Sequence, residues 1–155
     1  MIKPIHGSHL LISGLILFLI SCTPNSCFEE TESYLKVSFH NKTTGLIQAP
    51  DSITIYGLNM ENSKLDTVPG LTPAKLPLNA STPNCTYIIR INGVSDTVEF
   101  TYTSTPYLVS KECGYSFHHN LDTAPPTFTK HIIENIYIAN RTITTANVEN
   151  LRIFY

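Results

Sequence analysis

From Tyr34 onward the chain alternates apolar and polar residues in short runs broken by Gly, Pro, Asn and Asp, the pattern of strands with one buried face. In residues 34–39, Leu35, Val37 and Phe39 fall on one face and Lys36 and Ser38 on the other, which predicts a half-buried strand. Residues 52–58 alternate similarly through Ile53, Ile55 and Gly57. Between 59 and 84, Pro69, Pro73, Pro77 and Pro83 forbid any long element, so short edge strands and turns are expected. The clearest local signal is Asn92-Gly93 between two alternating runs, because a two-residue type I′ turn needs positive φ at both central positions. Such a loop dictates register. It sets Ile91 opposite Val94, Ile89 opposite Asp96, Tyr87 opposite Val98 and Cys85 opposite Phe100 on the core face.

Residues 106–110, 113–121, 131–139 and 150–155 read as further strands. The β-branched density of HIIENIYIA (131–139) favours a strand buried on both faces, and a short helical turn is allowed at 144–150. Seven to nine short strands without internal repeats predict an all-β fold, an antiparallel β-sandwich of immunoglobulin-like or transthyretin-like topology.

Composition agrees. Only 14% of the 155 residues are charged, against roughly 25% in ordinary soluble domains. Thr (19), Ser (13) and Asn (12) replace them, residues suited to strands and turns. With 10 Lys plus Arg against 12 Asp plus Glu and no run of like charge, no basic footprint exists for a phosphate backbone, so nucleic acid is not an expected partner.

The amino terminus carries Lys3 and then an apolar stretch from Leu10 to Ile20, the pattern of a secretory signal. Those eleven residues would reach roughly 16 Å as a helix, about half the hydrocarbon thickness, which disfavours a permanent span. The end of the run, Leu19-Ile20-Ser21-Cys22, resembles the bacterial lipobox. The resemblance implies cleavage before Cys22 and a diacylglyceryl thioether and amino-acyl chain on it. More than one acyl chain makes membrane attachment firm. The expected organisation is a signal peptide at 1–21, a tether at 22–33 and a single β-sandwich domain at 34–155. Glu29, Glu30 and Glu32 in the tether resemble the acidic signal that sends some lipoproteins of Gram-negative gut anaerobes to the cell surface, but they start seven residues after Cys22, further than usual. A plain solvated spacer is the favoured reading.

With Cys22 acylated, Cys27, Cys85 and Cys113 remain, an odd number in an oxidising compartment. One bridge can form in three ways. Cys85–Cys113 is the expected pair, because both lie near predicted strand starts while Cys27 is in the tether. No Cys-x-x-Cys motif supports redox catalysis, and no cysteine has a partner at zinc-site spacing.

Catalytic and metal motifs are not found: no Gly-x-Ser-x-Gly, no His-Glu-x-x-His, no phosphate loop, no calcium loop. His118 and His119 are adjacent on a predicted strand, so they point to opposite faces and cannot share an ion. His131 with Glu134 is no better placed. Neither metal nor cofactor is expected. The eight tyrosines read mainly as core bulk in a Trp-free domain, with a glycan-binding face as the alternative.

One pattern exceeds background. Each of the four aspartates is followed by Ser or Thr and then an apolar residue, at Asp51-Ser52-Ile53, Asp66-Thr67-Val68, Asp96-Thr97-Val98 and Asp122-Thr123-Ala124. This resembles the acceptor of a general O-glycosylation system in Gram-negative gut anaerobes, which implies glycans on Ser52, Thr67, Thr97 and Thr123. The equal alternative is a turn-to-strand transition, since Asp favours turns and Ser, Thr and apolar residues favour strand edges.

The lipobox, INGVSDTVEF, SKECGY and the terminal NLRIFY together resemble the small uncharacterised lipoproteins of gut-dwelling Gram-negative anaerobes. That resemblance implies a lipid-tethered β-sandwich in the cell envelope, on the periplasmic or surface face of the outer membrane, and brings no catalytic residue. The expected function is a non-enzymatic binding or structural module whose partners are the membrane, through its anchor, and an envelope protein or glycan. The alternatives are a surface glycan-binding accessory lipoprotein and a divergent hydrolase.

Overall fold

In a computed structural model, which describes residues 27–63, 65 and 73–155, the chain is all-β with ten strands. These are β1 (Tyr34–His40), β2 (Ile53–Gly57), β3 (Ala74–Pro77), β4 (Asn84–Ile91), β5 (Val94–Ser110), β6 (Gly114–Leu121), β7 (Thr127–Phe128), β8 (Asn135–Ile138), β9 (Thr142–Ile143) and β10 (Leu151–Phe154). The count exceeds the expected seven to nine because β7 and β9 have only two residues each, too few to leave an alternation in sequence.

The β4–β5 hairpin has the predicted register: Cys85, Tyr87, Ile89 and Ile91 pair with Phe100, Val98, Asp96 and Val94. Asn92 and Gly93 take φ of 48° and 86°, as a type I′ turn requires. One sheet runs β3-β1-β10-β8 and the other β2-β4-β5-β6-β9, with β7 also on β5. Every pair is antiparallel except β1–β10, where Val37 meets Leu151 and His40 meets Phe154 in parallel. Leu35, Val37, Phe39, Leu76, Leu151 and Ile153 from the first sheet meet Ile55, Ile89, Ile91, Val98, Phe100 and Ile143 from the second in one core, an open sandwich. Leu and Ile side chains buried to this extent contribute roughly 1.5 to 3 kcal/mol each.

Four local expectations are corrected. Residues 106–110 are not a separate strand but the far half of the 17-residue β5, whose partner changes from β4 to β6 after Thr101. Pro106 is tolerated there because only one edge of β5 is paired beyond that point. The 131–139 segment contributes only β8, an edge strand with Ile136 buried and Asn135 and Tyr137 exposed, rather than a strand covered on both faces. No helical turn forms at 144–150. Finally, β1 is buried on both faces, because it lies between β3 and β10 and residues 144–150 cross its polar side. Lys36 Nζ donates to the Ala146 carbonyl at 2.8 Å, and Asn150 exchanges hydrogen bonds with the Lys36 backbone through its N–H and its Oδ1.

Candidate functional site

Cys22 lies outside the described residues, as does the Asp66-Thr67 pair. Cys113 is bonded to Cys27, with Cα atoms 4.9 Å apart, and Cys85 is free. The expected Cys85–Cys113 bridge is therefore replaced by Cys27–Cys113, and the register explains why. Cys85 sits opposite Phe100, whereas Cys113 follows the far end of the same strand at Ser110. Ten residues of strand separate those points by roughly 33 Å, against a bridging limit of about 7 Å. Burial pushes the Cys85 thiol up to about 12, with a Tyr102 hydrogen bond opposing and Glu99 adding to the effect. It packs at the edge of the core, in the wall of a cleft of about 460 Å³ shared with Leu58, Met60, Leu78 and Tyr87.

Asp96 is a buried carboxylate on the core face of β5. Its Oδ1 accepts from Thr129 Oγ1 at 2.6 Å and from the His131 N–H and Nδ1–H at 2.9 Å each. Its Oδ2 accepts from the Ile132 and Ile133 N–H groups, both at 2.8 Å. Burial by itself would raise this carboxyl, but the donors of Ile133, Thr129, Ile132 and His131 outweigh it and hold it down at about 2. Asp96 thereby ties the irregular 129–133 segment onto the hairpin. Its neighbour Thr97 is half-buried and pairs with Thr129, its N–H donating to Thr129 Oγ1 at 2.9 Å and its carbonyl accepting from the Thr129 N–H at 3.0 Å. Ser52 and Thr123 are exposed, and the Thr123 N–H donates to Asp122 Oδ1 at 2.6 Å in a local turn.

Sequence reasoning missed a second polar cluster. On the covered side of β1, Ser38 Oγ lies 2.9 Å from His40 Nε2 and donates to Glu149, whose other oxygen accepts from Arg152 Nε at 2.7 Å. Burial opposes ionisation of Glu149, but Ser38, Arg152 and His40 together hold its carboxyl below the ordinary range. The residue types are those of a hydrolytic triad, but the arrangement is different. The carboxylate binds the serine instead of the far histidine nitrogen, and His40 Nδ1 is committed to the Gly45 carbonyl at 3.0 Å. Ser38 and His40 are also buried. Alternation along 34–39 could not reveal this cluster, because a polar strand face covered by a distant segment reads like one facing water.

His118 and His119 point to opposite sides, as expected. His119 is buried against Ser104 Oγ at 2.8 Å, and that burial, followed by the nearby His118, lowers its pKa. His118 stacks on Tyr107 with ring centroids 4.2 Å apart. The reading of the tyrosines as core bulk is corrected: only Tyr87 and Tyr102 are buried, while Tyr107, Tyr115 and Tyr137 are exposed. Among the described residues no cluster of His, Cys, Asp or Glu could hold a metal ion, and no helix is long and apolar enough to cross a membrane.

Past Thr103 the β5–β6 hairpin becomes an arm whose turn carries Cys113 and through it Cys27. On one face of the arm Pro106 pairs with Phe117 and Leu108 with Tyr115. The sequence profile of a family described as "Family of unknown function (DUF6452)" matches residues 52–155, which takes in β2 to β10 with Asp96, Cys113 and Glu149 but not β1 or Cys27. No curated protein and no solved structure matches the chain.

Proposed function

Because the chain belongs to this family of unknown function, we propose from its own residues that it is a lipid-anchored envelope lipoprotein, its β-sandwich a non-enzymatic binding or structural module. One juxtaposition carries the reading: a lipobox cysteine, Cys22, stands five residues before a disulfide-bonded cysteine, Cys27. Stable disulfides belong to oxidising compartments, so the bridge and the signal pattern point to the same side of the inner membrane. A binding rather than catalytic role is supported by the burial of Ser38 and His40, which keeps that serine from a substrate, and by the raised thiol of Cys85. The exposed tyrosines Tyr107, Tyr115 and Tyr137 favour a second reading, contact with an envelope glycan.

Replacing Cys22 by Ala tests the anchor. The variant is expected to move from the detergent-extracted membrane fraction to the soluble periplasmic fraction, and unchanged partition would refute the reading. Protease treatment of intact cells then separates a periplasmic module, which resists, from a surface glycan binder, which is cleaved.

A further inference from the structure

The arm formed by the ends of β5 and β6 exposes several large apolar side chains. Tyr115 is 70% exposed, Leu108 49% and Phe117 44%, all on one face, with Phe28 beside the disulfide at 92%. The opposite face carries the Tyr107–His118 stack. A lone exposed Leu or Tyr means little, but a contiguous aromatic patch marks a contact surface.

The disulfide says what that surface faces. Cys113 sits in the turn at the tip of the arm, and Cys27 is bonded to it. Cys27 stands five positions after Cys22, a span of at most roughly 17 Å when fully extended. Without the bridge, eleven residues would lie between Cys22 and the first strand at Tyr34, a reach of roughly 40 Å that leaves the orientation of the domain free. With it, the acylated residue is held beside the tip. The opposite end of β5, at Val94, lies sixteen residues and roughly 50 Å away along the strand.

We propose that the tip of the β5–β6 arm is a second membrane contact, its Tyr115, Phe117 and Leu108 lying in the headgroup–acyl boundary of the leaflet that holds the Cys22 lipid. The proposal rests on the reading of Cys22 as the lipid site. Tyrosine suits such a boundary because its ring is apolar and its hydroxyl stays wet. The charges near the tip, Lys111 and Glu112 in the turn and Glu29, Glu30 and Glu32 in the tether, sum to a negative value. Anionic headgroups would be repelled, so the partner surface is a zwitterionic one met through aromatic insertion. The bridge between Cys27 and Cys113 is thus an orienting clamp: it decides which end of the sandwich faces the bilayer and leaves the β4–β5 turn pointing away.

The chain has no Trp, so single-Trp variants report depth directly. The full-length acylated protein carrying Tyr115→Trp or Val94→Trp is reconstituted into phosphatidylcholine–phosphatidylethanolamine vesicles with brominated acyl chains. Both positions are exposed, so neither substitution threatens the core. The Tyr115→Trp emission is expected to shift to the blue and fall at least twofold on bromination, and the Val94→Trp emission to stay unchanged. Adding Cys27→Ser and Cys113→Ser to Tyr115→Trp should remove at least half of that quenching while the protein still floats with the vesicles. Flotation without quenching of Tyr115→Trp overturns the proposal and leaves the anchor standing. Failure to float overturns the anchor reading and the proposal together. A blue shift that needs only high protein concentration and no vesicles also overturns it, since the face would then join copies of the chain.

Discussion

Replacing Asp96 by Asn turns one oxygen into an amide nitrogen at the centre of five hydrogen bonds, with almost no change in volume. If the amide nitrogen takes the Oδ2 position, it meets the Ile132 and Ile133 N–H groups, two buried donors at 2.8 Å that then have no acceptor. Each orphaned buried donor costs about 1 to 3 kcal/mol, and the loss of charge assistance adds to it. The side chain is fully buried, so water does not offset the loss. A drop of about 3 to 5 kcal/mol at pH 7 is expected. The pH dependence is a second, independent signature. The carboxyl is held at about 2 in the folded chain against 3.8 for the free group. That difference corresponds to about 2.4 kcal/mol of stability, fully present above pH 4 and lost as pH falls through 2. Because Asn does not titrate, the gap between wild type and variant should narrow as pH falls, by about two thirds of that amount at pH 2.5. Urea unfolding of both proteins at pH 7, 4 and 2.5, followed by far-UV circular dichroism, measures this. A difference below 1 kcal/mol at pH 7, or one that stays constant into acid, would refute the role assigned to Asp96.

Three further outcomes follow from the geometry. Cys27→Ser opens a loop of 86 residues and is expected to lower stability by about 4 kcal/mol, with dithiothreitol reproducing the loss in the wild type and in Cys85→Ala but causing no further loss in Cys27→Ser. With its thiol raised to about 12, Cys85 should react with iodoacetamide at pH 8 on the order of 10³-fold more slowly in the folded chain than in urea; equal rates would contradict its placement. Asn150→Ala removes the acceptor of the Lys36 N–H and the donor to the Asn140 and Thr142 carbonyls, so chemical denaturation should show a loss of about 2 to 4 kcal/mol, more than Asn147→Ala on the exposed part of the same segment.

What the sequence reveals and conceals here divides along physical lines. The β4–β5 hairpin is legible because a two-residue turn and a period of two leave one register, and that register places Asp96 in the core. Its function there is not legible, because its partners at 129–133 are more than thirty residues away and have no periodic pattern. The disulfide pairing is hidden for a related reason. Pro106 reads as a boundary, which hides the length of β5 and makes Cys85 and Cys113 look like neighbours when the full strand puts ten residues between the partner of Cys85 and the turn that carries Cys113. The double burial of β1 escapes notice because alternation reports which residues share a face, not whether a loop from position 144 onward returns to cover it. The aromatic arm is the converse case. Its tyrosines resemble core residues until the strand is seen to run past the sandwich that would have buried them.

The account's two covalent claims, an acylated Cys22 and a Cys27–Cys113 bridge, meet in one peptide. Trypsin without reductant should release residues 22–36 linked to residues 112–130 from membrane-extracted protein, and mass spectrometry should find three acyl chains on the new amino terminus at Cys22. An unacylated or differently cut amino terminus would contradict the anchor. Recovery of residues 112–130 linked instead to residues 76–90, which carry Cys85, would contradict the clamp.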